Sequence, residues 1–142
     1  MSRLTHRIAA FCERHPTLYK SILMAENAIK RPLLKCQSCG QCVASYTAFT
    51  CPMRCPKQMR NGPCGGVRPN GHCEVYPDRV CVWWLIYERS RKLGWEKKLL
   101  KYHKPVDRRL QNTSAWIILM AGRIEGMSFR KDLKGHRKPH KP

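Results

Sequence analysis

Eight of the nine cysteines lie between positions 36 and 81, and thiols at that density define the chemistry open to this chain. They are Cys36, Cys39, Cys42, Cys51, Cys55, Cys64, Cys73 and Cys81. The first three form Cys36-x-x-Cys39-Gly40-x-Cys42, with thiols at successive three-residue steps. That spacing suits an iron–sulfur cubane, whose irons sit on different corners of one compact body. A single tight loop wraps it and supplies three ligands, with a fourth from elsewhere. A lone tetrahedral zinc takes two cysteines from one knuckle and two from another, so a third in the same turn is awkward for it. The second element is Cys51-Pro52-x-x-Cys55-Pro56. Proline after a cysteine stiffens the loop and removes an N–H. Cys64, Cys73 and Cys81 complete eight. Eight divides into two cubanes, a cubane and a zinc, or two zincs, and spacing does not assign the partners. One or two [4Fe–4S] clusters are the expected cofactor, with zinc as the alternative. His72 adjoins Cys73 and has ligand chemistry, but eight cysteines leave it little to do. Cys12 stands apart and reads as a small buried hydrophobe.

Short helices must flank this segment. The expected fold class is a small metal-organised domain, mostly irregular, with short α-helices on either side of a central Cys-rich loop region. Residues 1–35 read as an N-terminal helical segment and 36–81 as the metal- or iron–sulfur-binding domain. Residues 82–129 read as a C-terminal helical packing segment, and 130–142 as a basic disordered tail. Residues 1–15 are expected to be helical, with Leu4, Ile8 and Phe11 on one face. Leu18, Ile22, Ala25 and Ile29 repeat at helical spacing, so 17–30 is a helix, capped by Thr17 and ended by Pro32. From 36 to 81, Asn61-Gly62-Pro63, Gly65-Gly66 and Pro69-Asn70-Gly71 signal turns, with room for short strands. Val82 to Leu93 forms a helix with Gly94 as its stop. Trp95 to His103 forms another, closed by Pro105. Residues 105–112 are a polar connection. Thr113 or Ser114 caps a last helix through Ile124, although that apolar run also fits a strand. No internal repeat is present.

Lys and Arg number 28 against 9 Asp and Glu, a formal net charge of +19. Such a balance implies an acidic partner: nucleic acid, an anionic protein surface or a polyanionic ligand. Two cubanes with four thiolates each remove only about four charges. No secretory signal is visible at the N-terminus, and no run approaches the roughly 18 apolar residues of a membrane span. The expected compartment is a reducing cytosol, where cysteines act as metal ligands or redox groups rather than disulfides. His6, His15, His103, His136 and His140 lie in basic polar surroundings and read as solvated. Trp83, Trp84, Tyr87, Trp95 and Trp116 read as core packing against the metal domain or as docking to a partner. No glycine-rich nucleotide loop, nucleophile elbow or carboxylate pair is apparent, so no catalytic residue is identified.

The sequence contains a run of unusual words: Cys36-x-x-Cys39-Gly40-x-Cys42, Cys51-Pro52-Met53-Arg54-Cys55-Pro56-Lys57, Asn61-Gly62-Pro63-Cys64-Gly65-Gly66, Asn70-Gly71-His72-Cys73-Glu74-Val75 and Cys81-Val82-Trp83-Trp84. Together they resemble the methylenetetrahydrofolate reductase C-terminal-like family, closely from Cys36 to Tyr87. The match is looser over Ala25-Glu26 to Lys35 and over Asn112 to Trp116. The family occurs as the cysteine-rich small subunit of bacterial two-subunit reductases. The resemblance implies eight ligand cysteines and a flavin-bearing large subunit as partner. It implies a role in electron transfer to or from that flavin, or in steadying the large subunit, in one-carbon metabolism. The folate-binding barrel itself needs a chain about twice as long. From the residues alone, a zinc-stabilised basic nucleic-acid binder is the reading from another class. An accessory protein for corrinoid or methyl transfer is a third.

Overall fold

A computed structural model describes residues 3–122. Among them are five α-helices and no sheet. The helices are α1 (Arg3–Arg14), α2 (Pro16–Leu34), α3 (Val82–Lys92), α4 (Glu96–Leu99) and α5 (Ala115–Met120). Two 3₁₀ turns, Pro52–Arg54 and Arg108–Leu110, punctuate the loops. Between α2 and α3 the only strand-like features are two isolated bridges, Val67 with Cys73 and His72 with Val80. The mostly irregular, short-helical architecture is therefore what forms. The expected basic tail, and Ile124 as the end of the last helix, lie outside the described residues.

Helix α2 begins at Pro16 and runs past Pro32, which was expected to end it. Pro16 occupies a first-turn position, where its missing N–H has no helical acceptor anyway. His15 rather than Thr17 is the N-cap residue, without a side-chain cap bond. Pro32 lies inside the last turn. Its lost bond would have used the Ala28 carbonyl, and both residues are exposed at the surface. The helix ends instead at Lys35, in the left-handed region with φ 49°, whose N–H returns to the Lys30 carbonyl. That turn throws the chain directly into Cys36.

The buried faces of the first two helices are not the expected ones. On α1, Leu4, Ile8 and Phe11 point outward, while Ala9 and Cys12 pack against Ile117 of α5. Small side chains let the two helices approach closely, and Cys12 fills the role of a buried hydrophobe. On α2, Leu18, Met24, Ile29 and Leu33 are exposed and the buried residues are Glu26 and Lys30. Of the expected stripe, only Ile22 joins this cluster, beside Tyr19. A polar network explains the inversion. Glu26 accepts from Lys30 Nζ at 2.5 Å, from Ser114 Oγ at 2.6 Å and from the Trp116 N–H at 3.3 Å. Ser114 in turn caps α5, accepting from the Ile117 N–H at 3.3 Å. One carboxylate thus ties α2 to the start of α5.

A second cluster gathers Cys73, Cys81, Val82, Trp83 and Ile86, with Met59, Val67 and Leu99 against it. Helix α3 has its expected bounds, with Gly94 at φ 64° just beyond its cap. Helices α4 and α5 are shorter than the periodicity indicates. The chain leaves α4 at Leu100, and α5 stops at Ala121 before Gly122, whose φ is 68°.

Glu26→Gln leaves the Lys30 ammonium buried without its counter-charge and should cost about 3 kcal/mol of stability in urea denaturation. The double variant Glu26→Gln/Lys30→Met, which removes the stranded charge, should be more stable than the single one.

Candidate metal centre

The Cys36–Cys42 loop has no regular structure to hold it, so its backbone is fixed by distant groups. Ser38 Oγ donates to Asn27 Oδ1 of α2 at 2.7 Å. The Asn112 N–H donates to the Ser38 carbonyl at 2.8 Å, and Gln111 Nε2 to the Gln37 carbonyl at 2.9 Å. Gln41 pairs with the backbone of Asp107 in both directions: its Nε2 donates to the carbonyl at 2.8 Å and its Oε1 accepts from the N–H at 3.1 Å. Gly40 sits at φ 71°, and a Cβ there would collide with Thr113 Oγ1 and the Leu110 carbonyl. The glycine between Cys39 and Cys42 is thus needed for close approach to the 110–113 segment.

Held in this way, Cys36, Cys39 and Cys42 line one cavity together with Cys51. Cys51 arrives from the second motif, as the cap residue of the Pro52–Arg54 turn. All four thiols are free, as are the other five. Burial raises the Cys36 thiol above its ordinary value. The Ser38 N–H, 3.3 Å from its sulfur, works against that, while Cys42 and Cys39 add to it. Burial likewise pushes Cys51 up to about 11, opposed by the N–H groups of Gln37 and Met53 and reinforced by Cys36 and Cys39. Neighbouring thiols therefore act on both Cys36 and Cys51. Backbone N–H groups aimed at sulfur favour the thiolate.

As placed, the four thiols do not form a ready metal site. Tetrahedral zinc at about 2.3 Å from each sulfur needs sulfurs roughly 3.8 Å apart. Among the described residues, no three His, Cys, Asp or Glu side chains are grouped so as to hold one ion. The cavity that the four cysteines help to line has a volume of about 20 Å³, room for one water-sized body. Seating a cubane therefore requires the loop to move outward.

The remaining four cysteines are less closely gathered. Cys73 and Cys81 share the α3 core cluster. Cys64 is exposed, 3.7 Å from Glu74 Oε1, and accepts from the Gly66 N–H at 3.4 Å. Lys57, paired with Glu74, feels both Cys64 and Cys73. Cys55 is buried at the end of the Pro52–Arg54 turn. His72 uses Nδ1 on the Pro77 carbonyl at 2.6 Å.

The family described as methylene-tetrahydrofolate reductase C terminal matches residues 15–109. The chain belongs to that family. No curated protein and no solved structure matches it. The family's span takes in α2, all eight cysteines, α3 and α4, and leaves out α1 and α5. The two helices outside it pack on each other.

The aromatic residues divide between buried and exposed positions. Trp83 is buried, its Nε1 donating to the Met59 carbonyl at 2.8 Å. Trp95 stacks near Phe49, and Trp116 lies 5.3 Å from Lys30 Nζ. Trp84 and Tyr87 are exposed on α3.

Two buried polar residues had no local signal in the sequence. Arg60 lines the thiol cavity and is 8 % exposed. His103, expected to be solvated, is buried beside Tyr46, with its backbone paired to Asn61. Burial, with Arg60 and Lys101 nearby, holds its pKa down to about 4. Polar flanks in sequence misled here, because the 101–104 segment folds back over Tyr46 and Asn61.

Gly40→Ala should cost about 2–4 kcal/mol in chemical denaturation, from left-handed strain together with the collision. His103 is neutral in the folded state and takes up a proton near pH 6.5 when unfolded. Its contribution to stability is therefore complete above about pH 6.5 and is lost as pH falls toward 4. The drop in urea midpoint from pH 7 to pH 4.5 should be smaller in His103→Asn than in the parent protein.

Proposed function

We propose that this chain is the cysteine-rich subunit of a two-component methylenetetrahydrofolate reductase. It would hold at least one [4Fe–4S] centre on Cys36, Cys39, Cys42 and Cys51, and Cys55, Cys64, Cys73 and Cys81 would hold a second. The observation that supports this most is the meeting of the first two motifs. Three thiols of one tight loop and a fourth from a separate proline-stiffened turn line the same cavity. That is the three-plus-one pattern of a cubane, and it is awkward for a zinc knuckle.

Each element around the cavity has a part in this reading. The N–H groups of Gln37, Ser38 and Met53 stabilise thiolate sulfur. Val43, Ala44 and Pro52 restrict water. Gln41 and Gly40 tie the loop to the 107–113 segment. Such a centre, when bound, supplies one-electron chemistry. The counterpart in the proposed complex is the flavin of the large subunit, with electron exchange or stabilisation of that subunit as the role. Trp84, Tyr87 and Tyr102 are exposed aromatic groups suited to contact with it. No described helix is long and apolar enough to cross a membrane, and the reading places the protein in a reducing cytosol.

Anaerobically purified protein should be brown, with broad absorption near about 400 nm and iron and sulfide in equal amounts. Cys39→Ser should lose at least half of that iron and lower the melting temperature. Pull-down from the native host should recover a flavoprotein. Colourless protein holding only zinc would reject the iron–sulfur reading, and unchanged iron in Cys39→Ser would reject the ligand assignment.

A further inference from the structure

Helix α1 buries its small residues and exposes its large ones. Ala9 is 0 % exposed and Cys12 5 %, both packed toward α5, whereas Leu4 is 64 %, Ile8 43 % and Phe11 57 % exposed. At 3.6 residues per turn, Leu4, Ile8 and Phe11 fall within about 60° of one another, on a strip beside the packed face. Phe11 stacks on His15, with ring centroids 4.4 Å apart, so the strip reaches the turn into α2. Arg3, Arg7 and Arg14, all exposed, fall within about 40° of one another and border the strip on its other side. The one acid of the helix, Glu13, lies on the side opposite the apolar strip. An apolar strip edged by arginine suits a helix that lies in a membrane interface. There the apolar side chains enter the headgroup boundary and the guanidinium groups meet lipid phosphate. A nucleic acid would engage the arginines and leave Leu4, Ile8 and Phe11 in water.

More positive charge follows beside the same helix. Gly122, just past the end of α5, lies against His6 of α1, and a Cβ there would sit 2.9 Å from the imidazole. From that point the sequence continues through residues 123–142, with seven Lys and Arg against two acids. Near an anionic bilayer each basic residue strengthens binding about fivefold, and apolar insertion adds to that attraction.

We infer that α1 docks on a bilayer surface rich in anionic phospholipid, with Leu4, Ile8 and Phe11 in the headgroup boundary and Arg3, Arg7 and Arg14 on the lipid phosphates. The contact is peripheral: no described helix is long and apolar enough to cross a membrane. It requires no metal, and α1 lies outside residues 15–109, so it goes beyond the function proposed above.

The test mixes the full chain with sedimentable vesicles of phosphatidylcholine, or of phosphatidylcholine and phosphatidylglycerol in equal parts, and measures the bound fraction. The parent should bind the anionic vesicles and leave the neutral ones. Arg3→Gln/Arg7→Gln/Arg14→Gln should weaken that binding at least tenfold. Leu4→Ser/Ile8→Ser/Phe11→Ser should also weaken it at least tenfold, with the charge unchanged. Leu93→Ser/Leu100→Ser, which removes exposed apolar side chains elsewhere, should bind like the parent. All these changes are at exposed positions, and urea midpoints should stay at the parent's value. Should the triple serine variant not fold, Leu4→Ser and Phe11→Ser taken singly decide, each weakening binding about threefold or more. The inference is overturned if the parent ignores both kinds of vesicle. It is overturned equally if the serine variants bind anionic vesicles as tightly as the parent, which is adhesion by net charge alone. Two further results would overturn it: an arginine variant that loses duplex DNA but keeps the vesicles, and a serine variant that loses a flavoprotein partner but keeps them.

Discussion

A loop that lacks a hydrogen-bond ladder of its own must borrow one, and the Cys36–Cys42 loop borrows from the segment just before α5. Gln41 reads both backbone groups of Asp107, Asn112 donates to Ser38, and Gly40 lets the two segments touch. These contacts join residues some seventy positions apart in the chain. The geometry of three thiols therefore depends on where the C-terminal part of the described structure docks. That docking in turn depends on Glu26, whose carboxylate holds the first turn of α5 against α2. Buried polar groups with their partners in place specify one arrangement more sharply than apolar contact does.

The interior is correspondingly polar for so small a protein. Glu26, Lys30, Gln41, Arg60, His103 and Ser114 are all buried. Their distribution is not symmetrical. The Glu26–Lys30 pair is internally neutral, whereas Arg60, which lines the thiol cavity, keeps Nε and Nη1 without a hydrogen-bond partner. Burial makes sulfur reluctant to ionise there, as at Cys51. Positive charge, N–H donors and metal binding all act against that reluctance.

Apolar surface is distributed in the opposite sense. Leu4, Ile8 and Phe11 on α1, and Met24, Ile29 and Leu33 on α2, face outward. The stripes that the periodicity marks as inward are therefore largely on the outside. Helix α1 contributes Ala9 and Cys12 to a small cluster with α5, and both of those helices lie beyond the residues that the family covers. The portion shared with the family, residues 15–109, is the part that builds the cysteine loops and α3.

Local chemistry was legible in the sequence. The helix from Val82 with its stop at Gly94, a cap at Thr113 or Ser114, and the irregular course between α2 and α3 all follow from short-range rules of capping, glycine conformation and proline. The cysteine words were legible for the same reason, since three thiols at three-residue steps are a property of one turn of chain. The inward faces of α1 and α2 were not. Helical periodicity gives a stripe, but a buried carboxylate with three donors outweighed that stripe at Glu26, and small residues outweighed it at Ala9 and Cys12. Spacing could not pair Cys51 with the first loop, bring Arg60 to the same cavity, or bury His103. Those placements are set by hydrogen bonds between segments distant in the chain, and only the folded arrangement determines which distant groups come within reach.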